Sequence, residues 1–177
     1  MENSNGLIHI ICGDGKGKTT AAIGLSIRAA GRGQKVLITR FLKSNDSGEL
    51  TVLANIDATT VMPVERYFGF TWQMSEQQKE EATVYYRECF QAAIQKATKE
   101  NYDLLIFDEL LSAYNYGFLN HEEVLHFLTT KPKHLEVVMT GREPAKELCD
   151  LADYISEVMK RKHPYEQGVP ARIGIEY

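Results

Sequence analysis

Residues 13 to 20 read Gly-Asp-Gly-Lys-Gly-Lys-Thr-Thr, and their flanks restrict the fold more than any other stretch does. The short apolar run Leu7–Ile11 leads in, and the Ala-rich run Thr19–Ala30, stopped at Gly31, leads out. The first has the length and β-branching of a buried strand and the second the composition of a helix. A strand, a glycine-rich turn and a helix in that order make a P-loop. Gly13, Gly15 and Gly17 let successive N–H groups turn inward toward phosphate oxygens, and the helix N-terminus adds partial positive charge. Lys18 would neutralise phosphate charge, and the Thr19 hydroxyl is placed to ligate Mg²⁺. Asp14, Lys16 and Thr20 complete the candidate nucleotide-binding set. Cys12 stands where the common pattern has its first glycine, and Lys16 is a second lysine, so the loop is a variant.

The rest of the chain repeats the strand–helix alternation. Val36–Phe41, Leu104–Phe107 and Leu135–Thr140 read as buried strands, with Thr59–Met62 and Tyr154–Val158 as weaker ones. Glu76–Lys99 opens behind Ser75 with Gln78 at capping-box spacing, and His121–Leu128 opens behind Asn120 with Glu123 at the same spacing. Pro144–Leu151 begins with proline at a first-turn position. This alternation predicts an α/β chain: a three-layer P-loop NTPase (RecA-like) fold with a mostly parallel central sheet and helices on both faces. Ligands in such sheets sit beyond the carboxyl ends of strands. Lys160–Tyr177, with Pro164, Gly168, Pro170 and Gly174, cannot be a long helix, and composition alone makes it a frayed tail.

At 177 residues and 44% hydrophobic, the chain fits a single domain, residues 1–177, with a real core. The formal charge of −4, with both signs mixed, gives no reason to expect nucleic-acid binding. No apolar run approaches the ~20 residues of a membrane span. MENSNGLIHI lacks the basic and apolar regions of a signal peptide. Cys12, Cys89 and Cys149 are far apart and odd in number, which reads as small core residues in a reducing cytoplasm rather than a disulfide framework.

Asp108-Glu109 ends the apolar run Leu104–Phe107, where a carboxylate can hold Mg²⁺ directly or through water. Asp103, at the strand's start, reads as a solvated cap. Arg28, on the P-loop helix, could serve the phosphates or a surface salt bridge. Arg142, just past a strand end after Gly141, reads as a phosphate ligand. These features are common to ATPases, kinases and other transferases, and residues up to Glu109 do not separate them. Tyr67-Phe68-Gly69-Phe70-Thr71-Trp72 puts four aromatics in six residues with neither strand nor helix period. They could form a hydrophobic plug or offer flat faces to a large planar ligand.

Taken together, GDGKGKTTAA (13–22), RAAGRG (28–33), FLK (41–43), GFTW (69–72), FDEL (107–110), TGR (140–142) and KHPYEQGVPARIGIEY (162–177) resemble the ATP:corrinoid adenosyltransferase family of the P-loop type. The resemblance implies that the 5′-deoxyadenosyl group of ATP is transferred to the Co(I) of a reduced corrinoid, cobalamin or cobyrinic acid a,c-diamide, with release of triphosphate. It implies ATP and corrinoid as substrates, Mg²⁺ as cofactor, an electron-donating reductase as partner and a homodimer. It assigns Lys18, Thr19, Glu109 and Arg142 to catalysis, Arg28 and Arg142 to the nucleotide with the loop, and Phe70 and Trp72 to the corrin's lower face. Thr19, Asp108 and Glu109 fall to Mg²⁺. It also orders the tail near the site, making Lys162, His163 and Glu176 candidates. Arg40 departs from the usual glutamine, Ser44 from a frequent glycine and Ile173 from a common lysine.

Overall fold

A computed structural model describes residues 5–177; the polar stretch 1–4, part of the N-terminus read above as no signal peptide, lies outside them. Six strands form one sheet: β1 (Ile8–Cys12), β2 (Val36–Arg40), β3 (Thr59–Val61), β4 (Leu104–Asp108), β5 (Glu136–Thr140) and β6 (Tyr154–Glu157). Their order is β3-β2-β4-β5-β1-β6, and every pairing is parallel. Parallel neighbours need crossovers, and helices supply them: α1 (Lys18–Ala30), α2 (Glu49–Leu53), α3 (Glu76–Lys99), α4 (Leu110–Asn115), α5 (His121–Thr130) and α6 (Lys146–Leu151). The expected α/β layering is therefore present, and both weaker strand readings form strands.

Residues alternate across the sheet, so each strand feeds two cores. Leu37, Leu105, Phe107, Val137 and Met139 face one way, toward α3, α4, α5 and α6. Val36, Ile38, Leu104, Ile106 and Val138 face the other, toward Ala22 and Ala29 of α1 and Leu53 of α2. The centre of the first core is aromatic: Phe90 of α3 stacks on Phe107 with ring centroids 5.3 Å apart and meets Phe127 of α5 edge-on at 6.0 Å. β6, at the sheet's edge, is exposed along its whole length.

The Ser75 box closes in both directions: Gln78 N–H donates to Ser75 Oγ at 3.2 Å, and Ser75 N–H to Gln78 Oε1 at 2.9 Å. Asn120 makes only its own half. Its Oδ1 accepts from Glu123 N–H at 3.1 Å, while the Glu123 carboxylate is drawn to Arg87 of α3 instead. α6 starts at Lys146, two residues after Pro144, because Gly141 and Glu143 both take left-handed backbone and the chain is still turning at the proline. α2 and α4 were not anticipated. The tail contains one 3-10 turn, Pro164–Gln167.

Phe90→Ala should lower unfolding free energy by about 3–5 kcal/mol, the usual cost of emptying a fully buried aromatic position. Ser75→Ala should cost about 1 kcal/mol. Urea titration followed by circular dichroism separates them, and near-equal losses would contradict this account of the core.

Candidate active site

The loop between β1 and α1 is held from outside by the chain leaving β6. Gly15 N–H donates to Val158 O at 2.7 Å, and Lys160 N–H donates to Asp14 Oδ1 at 2.9 Å. That second bond holds the Asp14 carboxyl below its usual range. The strap lies so close that a Cβ on Gly13 would come within 2.4 Å of Val158 O. Gly17, with φ of 119°, turns the chain into α1 and leaves the helix N-terminus without a side-chain cap. Cys12 is the last residue of β1 and buried in the core, so the departure from the common loop pattern is one of packing.

Lys18 Nζ donates to Gly15 O at 2.8 Å. Burial pushes its pKa down; Glu109 opposes that, and Arg142 and Lys43 reinforce it. Lys18, Lys16, Arg142 and Glu109 line one cavity of about 250 Å³ with loop residues 14–17, Thr19 and Thr20. Its wall is completed by the tail, through His163, Ile175 and Glu176. Arg172 grips Glu176 with its guanidinium and backbone N–H, holding that carboxyl at about 2. Lys16 Nζ lies 3.9 Å from the same carboxylate. His163 Nδ1 accepts from Tyr165 N–H at 3.2 Å, which sets its ring at the start of the tail turn.

At the end of β4, Asp108 is almost wholly buried, with 1% of its side chain exposed. Its Oδ1 accepts from Thr19 Oγ1 at 2.9 Å and from Thr140 Oγ1 at 2.6 Å. Lys43 Nζ donates to Asp108 Oδ2 at 2.5 Å and to Thr19 Oγ1 at 2.7 Å. Glu109 takes left-handed backbone, φ 62°, with its N–H donated to Thr140 Oγ1 at 2.9 Å and its carboxylate accepting from Ser112. Strain of this kind in a non-glycine residue costs about 1–3 kcal/mol and persists where the surroundings over-determine it. Three strand ends, those of β2, β4 and β5, thus meet the loop at one point.

Other expected residues are not gathered here. Arg28 is exposed in the last turn of α1, ten residues and about 15 Å along the helix from Lys18, and does not line the cavity. Lys162 is exposed and does not line it either. The aromatic hexapeptide divides. Phe68 packs onto Tyr85 and Tyr86 as a plug. Phe70 and Trp72 stack on each other, centroids 4.5 Å apart, and stay 54% and 74% exposed. They present a flat apolar face outside the phosphate cavity. Among the departures, the Arg40 guanidinium donates to Ser44 O at 2.8 Å and Asn45 Oδ1 at 2.7 Å, while Ile173 is exposed.

Lys43 and Thr140 were not among the expected site residues. Both lie in segments already quoted, FLK and TGR, and both sit at strand ends, which is the signal that could have found them. A second cavity of about 490 Å³ opens beside Thr19, Thr20 and Lys43, walled by α2 and by Gly174–Tyr177.

A family model for ATP:corrinoid adenosyltransferase BtuR/CobO/CobP matches residues 4–177. The chain belongs to that family. Its members are transferases that move an adenosyl group from ATP to a corrinoid. The corrinoid adenosyltransferase of Escherichia coli (strain K12) is 36% identical over 177 residues, covering 99% of this chain and 88% of the relative. That of Salmonella typhimurium is 34% identical, with the same coverage. Among solved structures, the cytoplasmic domain of EssC superposes with a TM-score of 0.52 at 14% identity, over 97% of this chain and 37% of that one, a likeness of fold alone. In this adenosyltransferase family member, no helix among the described residues is long and apolar enough to cross a membrane.

The depressed Lys18 pKa carries a sign. Below the folded value both folded and unfolded chains are protonated, and the folded one bears the full penalty of the buried charge. Between the folded and the higher unfolded value the unfolded chain holds more protons, so stability rises with pH. Lys18→Met should therefore leave the melting temperature measured without nucleotide unchanged or raised, and abolish its rise on adding Mg-ATP. Scanning fluorimetry reads both. A loss of several degrees without nucleotide would mean that Lys18 is a structural residue.

Proposed function

We infer that this chain transfers the 5′-deoxyadenosyl group of ATP to the Co(I) of a reduced corrinoid, releasing inorganic triphosphate. The observation that carries this reading is the convergence of Lys16, Lys18 and Arg142 on the glycine loop, in a chain that matches the family model from end to end. In the reaction the cobalt electron pair forms the Co–C5′ bond, the C5′–O bond breaks, and its electrons leave on triphosphate. The nucleophile carries no proton, so no general base is required. What the protein must supply is stabilisation of a highly charged leaving group, which preorganised amides and cations provide without reorganising at the moment of reaction. Gly13, Asp14, Gly15, Gly17 and Thr20 then form the cradle, with the nucleotide held so that its ribose carbon, rather than its γ-phosphate, faces the second substrate.

Mg²⁺ fits the site. The Thr19 hydroxyl and Asp108 carboxylate are hard oxygen donors 2.9 Å apart, and a cation, the Lys43 ammonium, already bridges them. Thr19 and Asp108, with Glu109, would hold the ion, which when bound supplies further neutralisation of the triphosphate. The exposed Phe70–Trp72 stack suits the lower face of a planar macrocycle: two flat rings there exclude an axial ligand and so favour a four-coordinate cobalt that accepts an electron more readily. Arg28 does not line the phosphate cavity of this chain, and its part in holding ATP rests on the resemblance alone. His163, a candidate ligand-binding residue, completes the wall of the phosphate cavity. A single domain, a homodimer, a cytoplasmic location and an electron-donating reductase complete the proposal.

Incubation with ATP and chemically reduced corrinoid should give a light-sensitive alkylcobalt product and intact triphosphate, read by absorbance and phosphorus NMR. Orthophosphate released without corrinoid, and lost in Glu109→Gln, would instead mark an ATPase. Trp72→Ala should slow reduction of bound Co(II) at least tenfold while changing ATP affinity less than threefold. Equal loss of both would remove the aromatic pair from the corrinoid surface.

A further inference from the structure

The reading above leaves Lys43 without a role, yet its ammonium occupies the centre of the site. It touches Thr19 Oγ1 and Asp108 Oδ2, the two side chains that on that reading would ligate Mg²⁺. Burying a carboxylate as deeply as Asp108 is costly unless a counter-charge lies close by. Lys43 provides one at hydrogen-bond distance, with the buried Arg40 guanidinium, on the strand paired with β4, adding its field. Divalent magnesium needs its oxygens at about 2.0–2.1 Å with near-octahedral order. An ammonium hydrogen-bonded to both groups and an ion ligated by both cannot share them.

We propose that Lys43 gates the metal site, holding Asp108 and Thr19 against a divalent ion until a polyphosphate arrives to receive its ammonium. The stereochemistry allows the transfer. Lys43 follows Leu42, whose backbone is left-handed with φ 55°, and its side chain is 26% exposed. Its flexible stem lines the larger cavity beside Thr19 and Thr20, which also wall the phosphate cavity, so a turn of the side chain past them carries the charge from Asp108 toward that cavity. Lys18 and Lys43 repel each other across the loop, and an anion placed between them relieves that repulsion. Metal and nucleotide therefore strengthen each other's binding, and by linkage the effect is reciprocal. The inference rests on the adenosyltransferase reading only in taking Thr19 and Asp108 as the metal ligands.

The test is Mn²⁺ binding to the full chain without nucleotide, followed by the EPR signal of the free ion. Lys43→Met removes the competing charge and should raise Mn²⁺ affinity at least tenfold over wild type. Lys43→Arg should leave it within threefold. Adding Asp108→Asn to Lys43→Met should abolish the gain. Triphosphate affinity in the presence of EDTA should fall about tenfold in Lys43→Met, since one phosphate contact is lost. Lys43→Gln, which keeps a hydrogen bond to Asp108, carries the same Mn²⁺ expectation should the methionine variant fold poorly. Equal Mn²⁺ affinity in wild type and both neutral variants would overturn the proposal, as would a gain that survives Asp108→Asn. Either result leaves wild-type adenosyl transfer untouched, whereas failure of the functional reading would show as no alkylcobalt product from the wild type.

Discussion

A single buried carboxylate organises the chemical end of this molecule. Asp108 closes β4 and accepts hydrogen bonds from Thr19 of the loop helix, Thr140 of β5 and Lys43 beyond β2. Thr19 and Thr140 stand at the start and end of their elements, and Lys43 three residues past the end of β2. The bonds are made in a low-dielectric setting where an unpaired charge would be costly, so the network fixes the loop against the sheet with little freedom. The left-handed turn at Glu109, tied to the same Thr140 hydroxyl, is held by this arrangement and points a second carboxylate toward the loop. Cations then surround the carboxylates: Lys18 and Arg142 in the cavity, Lys43 and Arg40 behind it. That balance suits the triphosphate leaving group of the proposed reaction.

The tail gives the loop its second constraint. The chain leaving β6 hydrogen-bonds to Gly15 and Asp14, and residues 163 to 176 return to wall the cavity. Glu176, locked by Arg172, puts a carboxylate near Lys16, which moderates the positive charge where the phosphates would lie. The segment that composition alone reads as frayed is thus part of the site, through backbone bonds and a close approach that Gly13 and Gly15 both permit. The family resemblance anticipated this, because it depended on the tail's residue order and not on its helix or strand propensity.

The main strands and long helices were legible because their apolar runs and capping residues carry strong local signals; the Ser75 box is the clearest case. α2 and α4 were not, since five and six residues are too few to display a helical period, and α4 begins only two residues after β4. The phosphate loop, Asp108, Glu109 and Arg142 could be read directly from position at strand ends. Lys43 and Thr140, in the FLK and TGR segments, could have been read by the same rule, but no charge or hydroxyl pattern beside them marked which residue faces the loop. Arg28, whose part in nucleotide binding rests on the resemblance, lies ten residues of rise from the loop, at the far end of α1. The split of the aromatic hexapeptide, Phe68 inward and Phe70 with Trp72 outward, depends on tertiary contacts with α3 that no local pattern encodes.

The most direct test is a crystal structure of the protein with Mg²⁺ and ATP. The account predicts the triphosphate cradled by the amides of residues 13–19, Lys18 turned from Gly15 O onto a phosphate oxygen, and C5′ facing the side of Phe70 and Trp72. A triphosphate bound elsewhere, or a ribose carbon turned away from the aromatic pair, would contradict it.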